Sequence, residues 1–402
     1  MDRVLNPYSP GAGTPPPALT GREKQEDDFR LLLARLAAGR AERSMVVSGL
    51  RGVGKTVLLG GFQGIAAAEG WIAPDLLEIR PETEFRAAMA RLTRETLRRM
   101  SLKVRAKDKL KSAVGVFKAF SVKLPNEYGG AEFGVDVGAA LGTADSGDLE
   151  YDLETLFEEI GVVARESGTG VVFLIDEMQF LTKQDMEALC AAMHRVGQKT
   201  LPVALAAAGL PQLPGRLVEA KSYAERLFTY PRLGKLGDEA ARAALRKPAR
   251  DAGADYDEDA LDYILGYTEG YPYFLQQYGK IVWDNATGSP ITLADARATE
   301  PFVQEKLDEE FFHVRFEKAT PAERTYMVAM ADLGDGPQGS GAIANHMKRL
   351  VTSVSLMRGA LIKKGLIYAP DTGLADFTVP HFADFMRRRY PYTPPPKETS
   401  PR

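Results

Sequence analysis

A glycine-rich segment, Gly49–Thr56, limits the possible folds more than any other part of the chain; its sequence is GLRGVGKT. It follows a short apolar run, Met45–Val47, and precedes apolar residues at helical spacing, Leu58, Phe62 and Ile65. This order predicts a strand, a tight loop and a helix. The segment also fits the pattern G-x-x-x-x-G-K-[ST]. We therefore expect its backbone N–H groups to surround phosphates at the N-terminus of the helix.

The residue types in this loop indicate that the phosphates belong to ATP. Lys55 is placed to reach the β- and γ-phosphates, and the Thr56 hydroxyl is placed to ligate Mg²⁺. Glycines allow the backbone to turn inward without a steric penalty. The predicted nucleotide contacts in this region are Gly49, Leu50, Arg51, Gly52, Val53, Gly54, Lys55, Thr56 and Val57.

A second apolar run, Val171–Ile175, ends in the acid pair Asp176 and Glu177. If the run is a buried strand, both carboxylates emerge at the carboxyl edge of the sheet, beside the glycine-rich loop. Asp176 is then expected to hold the hydration shell of Mg²⁺. Glu177 is expected to orient or deprotonate the attacking water. The predicted catalytic residues are accordingly Lys55 and Glu177, with ATP and Mg²⁺ as the bound groups.

Further strands are predicted at Leu76–Ile79 and Leu201–Ala207, separated from the others by helical stretches. Alternating strands and helices are typical of an α/β fold with a mostly parallel sheet covered on both faces. Apolar residues make up 45% of the chain and charged residues 26%, which is enough to form a core. Because the chain has 402 residues, two or three domains are expected.

The spacing of the two phosphate-site segments predicts an insertion at about residues 84–150. Lys55 and Asp176 are 121 positions apart, which is more than a minimal core needs. Residues 86–123 carry twelve Lys/Arg and two acids, whereas residues 124–161 carry ten acids and no Lys/Arg. Two interpretations stay open: solvated helical faces that partly neutralise each other, or a DNA-contacting insertion. Alternation around Asn126–Gly130 predicts a projecting hairpin.

Two short elements outside the loop are similar to those of a known class of ATPases. Leu19-Thr20-Gly21-Arg22-Glu23 resembles the hydrophobic-hydrophobic-Gly-Arg-Glu box of AAA+ and STAND ATPases, especially those like the origin-recognition initiators. Gly270-Tyr271-Pro272 is similar to the Gly-x-Pro element of STAND lids. The resemblance covers roughly residues 18–390 and implies a P-loop αβα core, a helical lid and a winged helix.

The same resemblance implies roles for individual residues. Thr20, Gly21 and Arg22 would line the adenine side of the site, and Tyr271-Pro272 would close it. Simpler interpretations remain: Gly21 as a turn before a helix, and Tyr271-Pro272 as an ordinary helix N-terminus. Arg226 lies where such proteins often place an arginine that faces a γ-phosphate, in the same chain or a neighbour; a surface salt bridge is the alternative.

Two departures from the AAA+ pattern indicate slow hydrolysis. The fourth strand ends in Ala206-Ala207-Ala208-Gly209, where a polar sensor residue is usual; Gln179 or Gln212 could substitute. Tyr273 stands where many AAA+ lids carry a sensor arginine. Both absences favour a slow nucleotide switch over a fast motor.

The predicted organisation has five parts. They are a flexible segment (1–18), the ATPase core (19–236), a helical lid (237–315), a winged helix (316–390) and a disordered tail (391–402). The winged helix begins with a capping box and an N1 proline at Thr320-Pro321-Ala322-Glu323. Its third helix, capped by Thr352 or Ser353, is followed by a hairpin across Asp371-Thr372-Gly373 as the wing.

In a winged helix the third helix enters the major groove of DNA. The candidate DNA contacts are Ser355, Arg358, Lys363, Lys364, Arg387 and Arg388. Across residues 316–390 there are ten Lys/Arg and seven acids, a modest net charge of +3 for a DNA-binding module. Double-stranded DNA is one predicted partner. Docking of a protein, as many winged helices do, is the alternative.

The remaining features describe the setting in which such a protein works. The net charge of −3 does not indicate a generally basic surface, and the single cysteine, Cys190, allows no internal disulfide. We find no signal-peptide pattern and no apolar run near the ~20 residues that span a bilayer. A cytoplasmic location is expected. Two functions remain: an ATP-dependent DNA-binding switch, or a STAND-like signalling or scaffold ATPase that forms homo-oligomers or binds a protein.

Overall fold

The structure is a computed structural model that describes residues 1–11, 16, 18–103, 107–122, 124 and 137–393. Within these residues, none of the helices combines the length and the apolar character needed to cross a membrane. The hairpin predicted around Asn126–Gly130 and the tail beyond residue 393 lie outside the described residues.

A parallel sheet forms the centre of the core, as the alternating pattern predicts. Its strands are β1 (Ser44–Gly49), β2 (Leu77–Glu78), β3 (Val171–Asp176), β4 (Val203–Gly209), β5 (Phe228–Thr229) and β6 (Arg232–Leu233). The strands lie in the order β2-β3-β4-β1-β5, and β6 also pairs with β1. β4 therefore lies between β1, which leads into the glycine-rich loop, and β3, which carries the acid pair.

Helices cover both faces of this sheet, so that every residue of its central strands β1, β3 and β4 is buried. On one face α1 (Glu23–Ala37) and α2 (Lys55–Ala68) pack against Met45 and Val47 of β1. On the other face the buried cluster contains Val46 and helices α3 (Phe85–Lys103), α4 (Lys107–Ser121), α5 (Leu149–Glu166) and α6 (Lys183–Gln198). Alternate residues of β1 thus enter opposite cores, as the two-residue period of a strand requires.

The two oppositely charged blocks meet within the helices of this second face. Arg86 of α3 forms an ion pair with the buried carboxylate of Asp152 on α5. Ser112 of α4 donates to Glu159 of α5 at 2.8 Å. The ion pair neutralises one charge from each block. Both interpretations of the insertion stay predictions.

The lid follows the short helices α7 (Leu213–Ala220) and α8 (Ala224–Leu227) and the strands β5 and β6. It consists of α9 (Asp238–Asp251), α10 (Glu258–Thr268), α11 (Pro272–Asn285) and α12 (Leu293–Lys306). The N-terminal residues, predicted to be flexible, pack on this lid instead. Tyr8 is buried, and its hydroxyl donates to Leu245 O at 2.5 Å. Apolar burial and hydrogen bonds to the lid therefore order residues 1–11.

A π helix, Leu307–His313, and a short helix, α13 (Val314–Glu317), join the lid to the C-terminal region. That region contains α14 (Pro321–Asp332), β7 (Gln338–Gly339), α15 (Ser340–His346), α16 (Val351–Lys363), β8 (Ile367–Tyr368), β9 (Leu374–Phe377) and α17 (Phe382–Arg389). The three strands form an antiparallel sheet in the order β7-β9-β8. The assignment of this region as a winged helix stays a prediction.

Two local predictions in this region have different outcomes. The capping box at Thr320 and Glu323 is confirmed, with both reciprocal hydrogen bonds formed. The cap of the third helix is wrong: α16 begins at Val351 after Leu350, and no side chain caps it. The helix starts directly after Leu350, so Thr352 and Ser353 lie inside its first turn and neither occupies the capping position. Tyr392 belongs to the segment predicted to be disordered (391–402), but its hydroxyl donates to His346 O at 3.0 Å, which fixes this residue.

Candidate functional site

A cavity of about 420 Å³ lies where the core, the lid, the N-terminal segment and the C-terminal junction meet. Apolar lining comes from Ala18, Leu19, Leu236 and Ala244. Charged lining comes from Arg51, Lys55, Glu177, Glu310 and Arg315. The predicted nucleotide contacts that line it are Thr20, Arg22, Arg51, Gly52, Val53, Gly54, Lys55, Thr56, Val57 and Pro272. The cavity therefore combines an apolar wall with the glycine-rich loop.

The loop backbone needs glycine at two positions. Gly52 and Gly54 have φ values of 84° and 89°, in the left-handed region that glycine adopts most readily. Gly52 also lies against the lid, where a Cβ would meet Tyr271 Cε1 at 2.9 Å. Its carbonyl accepts from Tyr273 N at 3.3 Å. The loop is thus held from the lid side as well as by β1 and α2.

Lys55 lies buried at the start of α2. Its Nζ donates to Gly49 O at 3.0 Å and to Leu50 O at 2.8 Å. Gly49 and Leu50 therefore hold the lysine rather than line the cavity. Burial lowers the pKa of Lys55 to about 8, because desolvation disfavours its charged form. A phosphate group in the cavity would place a negative charge near this ammonium and so stabilise its charged form.

Thr56 and Asp176 meet at the end of the sheet. The Thr56 hydroxyl donates to Asp176 Oδ2 at 2.5 Å, and Asp176 Oδ1 accepts from Glu177 N at 2.8 Å. Burial raises the pKa of the Asp176 carboxyl above its usual value. Two adjacent hard oxygens fit Mg²⁺, which is held in many nucleotide sites by few protein ligands. Among the described residues, no group of three or more His, Cys, Asp or Glu side chains could hold a metal.

Glu177 is fixed by its own backbone and by two side chains. Its φ of 53° is unusual for a residue with a Cβ. Its Oε2 accepts from Gln179 Nε2 at 2.6 Å and from Arg51 Nη2 at 3.2 Å. The second oxygen, Oε1, has only a long contact of 3.5 Å with Arg51 Nη1. One carboxylate oxygen is therefore anchored by two hydrogen bonds, and the other is held more weakly.

Gln179 occupies the space at the end of β4 where a polar sensor residue was missing. Its Oε1 accepts from Leu210 N at 3.0 Å while its amide nitrogen binds Glu177. A Cβ at Gly209 facing this space would lie 2.7 Å from Gln179 Oε1. Of the two glutamines considered from the sequence, Gln179 is thus the one in contact with Glu177. Gln212 Oε1 is buried and has no hydrogen-bond partner among the described residues.

Arg51 joins the loop to the C-terminal region. Its backbone N–H donates to Thr378 O at 3.0 Å, and its Nε donates to Gly365 O at 3.3 Å. The Arg51 carbonyl accepts a hydrogen bond from the Tyr271 hydroxyl. One loop residue therefore contacts the lid, the C-terminal region and Glu177.

The residues assigned to the adenine side hold the surrounding backbone together. The buried Arg22 guanidinium donates to Val53 O at 3.1 Å and Gly234 O at 2.8 Å, and Thr20 Oγ1 donates to Ala240 O at 2.8 Å. Gly21 adopts a φ of 70° beside Ala240, in keeping with a close turn. Tyr271 is buried behind Gly52, whereas Pro272 lines the cavity.

The other predicted contacts lie apart from the cavity. Arg226 is exposed on α8 and is not among the described residues that line it. In the C-terminal region, Ser355 and Lys363 are exposed on α16. Four of the six DNA candidates bind other parts of the chain: Arg358 to Leu374 O, Lys364 to Glu323, Arg387 to Asp335 and Asp384, and Arg388 to Asp308.

The sequence did not identify Arg315 or the N-terminal lining. Arg315 projects into the cavity from α13, and Ser9, Pro10, Gly11 and Pro16 complete a wall. Arg315 lies four residues after Phe311, and its Cζ is 3.7 Å from the centroid of that ring. In the sequence, only the four-residue spacing between Phe311 and Arg315, which places both on one face of a helix, indicates that the two side chains meet. A motif search has no signal for the N-terminal residues, because they reach the cavity through tertiary packing.

Comparisons with known proteins agree with this architecture. Residues 18–206 match the family model of the AAA ATPase domain, and residues 309–386 match a domain of unknown function, DUF8462. The first match includes the glycine-rich loop and the acid pair. A comparison with curated proteins gave no significant match.

Several solved structures are similar over most of the chain. The Walker-type ATPase paby2304 of Pyrococcus abyssi has 15% identity and a TM-score of 0.55, covering 92% of this chain and 96% of that chain. The Orc1 protein of Aeropyrum pernix in complex with DNA has 14% identity and a TM-score of 0.45, covering 93% and 94%. A RuvB variant of Thermotoga maritima has 15% identity and a TM-score of 0.47, covering 94% and 96%. The first similarity shows a shared P-loop NTPase fold.

Proposed function

We propose that this protein is a magnesium-dependent ATPase that works slowly and uses its nucleotide state to control its C-terminal region. The observation that carries the proposal is the set of hydrogen bonds around the loop. Tyr273 N binds Gly52 O from the lid, and Arg51 N binds Thr378 O in the C-terminal region. Because the loop is bonded to the lid and to the C-terminal region, a nucleotide bound in the loop would act on the contacts with both of them.

The side chains supply the parts of a phosphoryl-transfer site. Lys55 would neutralise charge on the β- and γ-phosphates, and the loop N–H groups would hold their oxygens. Thr56 and Asp176 would hold Mg²⁺, which when bound neutralises phosphate charge. Glu177 would take a proton from the attacking water through Oε1, the oxygen with the weaker contact.

Slow hydrolysis is supported by the restraint on Glu177. Arg51 contacts both of its oxygens, so the ion pair competes with the attacking water for the carboxylate. In addition, no arginine of the lid helices α9–α12 lines the cavity in the described part of the chain. Arg226 could contribute only from a neighbouring copy, since it lies outside the cavity of its own chain. We propose that such a homo-oligomer, if formed, would hydrolyse ATP faster.

The direct test uses Lys55→Ala and Glu177→Gln, with ATP affinity measured by calorimetry and hydrolysis by phosphate release. We expect Lys55→Ala to lose ATP binding. Glu177→Gln should bind Mg-ATP but hydrolyse it about 10²- to 10⁴-fold more slowly, the usual contribution of a general base. Arg242→Ala is the control, because this half-buried residue on α9 lies outside the cavity and forms ion pairs only with acids of the lid. Normal turnover by Glu177→Gln would remove Glu177 from its assigned role.

Double-stranded DNA is one candidate for what the C-terminal region binds. Lys348, Arg349 and Lys363 are exposed near or on α16 and could contact phosphates. We expect duplex DNA to bind Glu177→Gln more tightly with Mg-ATP, and to bind less tightly as salt increases. Fluorescence anisotropy at several salt concentrations measures both effects. Loss of the salt-sensitive binding in Lys348→Ala/Arg349→Ala/Lys363→Ala would place the contact on this surface.

A protein partner is the second candidate, and a specific observation favours it. Leu350, Val351 and Leu356 are 77%, 51% and 79% exposed at the start of α16 and within it. Exposed apolar side chains suit a protein contact better than a phosphate backbone. The absence of DNA binding at low salt in either nucleotide state would support this candidate over the first, whereas equal DNA affinity with and without ATP would contradict the nucleotide switch. The nucleotide switch is common to both.

A further inference from the structure

Among the described residues, a cationic side chain without an acidic partner lines the cavity together with the glycine-rich loop. Arg315 projects into the cavity from α13, which connects the lid to the C-terminal region. Its Nη1 donates to Phe311 O at 2.6 Å, and its guanidinium lies over the Phe311 ring. No carboxylate of the described residues lies within ion-pair distance of it. Most other arginines of the lid and C-terminal region have such a partner, as Arg242, Arg246 and Arg387 do.

The surroundings of Arg315 favour a bound anion. Burial, and after it the positive charge of Arg51, lower the pKa of Arg315 to about 10. Arg51 in turn contacts Glu177. Glu310, the acid nearest in sequence that lines the cavity, is already paired with Lys306 at 2.5 Å. A polyanion between Arg51 and Arg315 would relieve both the desolvation and the repulsion between these two cations.

Arg315 is also connected to the loop by aromatic packing. The ring of Phe311 stacks on Tyr273 at 4.4 Å with an interplanar angle of 20°. Tyr273 N donates to Gly52 O in the loop. The two neighbours of the guanidinium, Phe311 and the π-helix backbone, therefore hold it at a fixed position relative to the phosphate site. π helices within longer helical segments frequently occur at functional sites.

We propose that Arg315 binds the γ-phosphate of ATP and so makes the site distinguish ATP from ADP. The inference rests on the proposed function, because it concerns the same nucleotide site. The γ-phosphate is assigned because Arg315 lines the same cavity as Arg51 and Glu177. Arg51 is paired with Glu177, the residue to which we assign the water that attacks this phosphate. A γ-phosphate contact from α13 would pull the junction between the lid and the C-terminal region toward the loop. Loss of the γ-phosphate would release it.

The test compares affinities for ADP and for the non-hydrolysable imido analogue of ATP, by calorimetry with Mg²⁺, in the full chain. Arg315→Ala should weaken binding of the ATP analogue by about 10- to 100-fold, the range expected for one charge-assisted hydrogen bond. It should change ADP affinity by less than about threefold on the same argument, since ADP lacks the contacted group. Arg315→Gln, which can keep the bond to Phe311 O, should show the same selective loss.

Arg324→Ala is a matched control. Arg324 also donates to backbone carbonyls, Ala319 O and Glu317 O, and lies over an aromatic ring, Phe316, but it is outside the cavity. It should bind both nucleotides as the unaltered chain does. Equal losses for the two nucleotides, or no loss in Arg315→Ala and Arg315→Gln, would overturn the assignment of Arg315. If the unaltered chain bound neither nucleotide, the proposed function itself would fail.

Discussion

At the scale of single residues, Gln179 explains how Glu177 is positioned. One side-chain amide connects the Glu177 carboxylate to Leu210 N, just after β4. Gln179 occupies space that a side chain at position 209 would need, and β4 therefore ends in a glycine, Gly209. The polar group that the end of this strand lacks therefore comes from the segment after β3.

Replacing Gln179 by Met should slow hydrolysis without weakening ATP binding. Glu177 Oε2 would lose its 2.6 Å hydrogen bond and keep only the longer one, 3.2 Å, from Arg51. We expect kcat to fall about tenfold, the effect of one lost hydrogen bond to a charged group, while the Kd for ATP stays unchanged. Single-turnover phosphate release and calorimetry measure the two quantities. Gln212→Met serves as the control, because Gln212 has a buried amide oxygen without a partner in the described residues.

The outcome separates a positioning role from a structural one. An equal drop in kcat for Gln179→Met and Gln212→Met would show that neither glutamine acts specifically on Glu177. A drop in ATP affinity with unchanged kcat would show that Gln179 supports the loop instead.

At the scale of secondary-structure elements, the turn between α16 and β8 brings the C-terminal region onto the loop. Gly365 in this turn has a φ of 65°, and a Cβ would lie 2.6 Å from Arg51 Nη2. Its carbonyl accepts from Arg51 Nε. Glycine is thus needed there both for the backbone conformation and for the approach of Arg51.

Gly365→Ala should destabilise the protein and raise its rate of ATP hydrolysis. A left-handed alanine costs about 1–2 kcal/mol. The added methyl must also displace Arg51, which weakens the ion pair that restrains Glu177. We expect a lower thermal midpoint and a severalfold faster turnover at saturating ATP, on the order of the effect of one weak ion pair.

Gly373→Ala is the matched control for this prediction. Gly373 has a φ of 77°, and its Cβ would meet no atom within 4 Å. It should therefore lose stability through backbone strain alone and hydrolyse ATP at the original rate. Identical behaviour of the two variants would mean that the turn does not restrain the site through Arg51.

At the scale of the whole molecule, the N-terminal segment connects the lid to the cavity. Tyr8 donates to Leu245 O on α9 and accepts from the Tyr256 hydroxyl at 2.8 Å. Its ring fills the space beside Gly279, where a Cβ would lie 2.7 Å away. The next residues, Ser9 to Gly11, line the cavity. The lid and the cavity wall therefore depend on one short segment.

Tyr8→Ala should reduce the unfolding free energy of the lid by about 3–5 kcal/mol, the usual cost of removing a buried aromatic ring. Tyr8→Phe should cost only about 1–2 kcal/mol, because it removes the hydroxyl and keeps the ring. Trp283 lies 6.4 Å from Tyr8 and reports on this region. We would follow its fluorescence during urea denaturation, with Trp71→Phe as the common background. A stability unchanged in Tyr8→Ala would show that the segment does not hold the lid.

The sequence by itself determined the elements whose signals are local. The strand, loop and helix around Gly49–Thr56 follow from apolar spacing and from glycines that adopt positive φ values. The acid pair follows from the end of the buried strand β3, and the Thr320–Glu323 capping box from hydrogen bonds between neighbours in sequence. These features depend on residues a few positions apart, so a single chain reveals them.

Only the tertiary structure decided which distant residues meet. It brought Arg51 to Gly365, Gln179 to the end of β4, and Tyr8 to the lid, because packing of apolar faces brings together segments far apart in sequence. It also used most of the basic DNA candidates for internal contacts, which charge counts along the chain cannot distinguish from a free surface. Arg315 lines the cavity because of where α13 lies. The position of α13 depends on contacts across the lid and the C-terminal region, so residue spacing alone does not predict it.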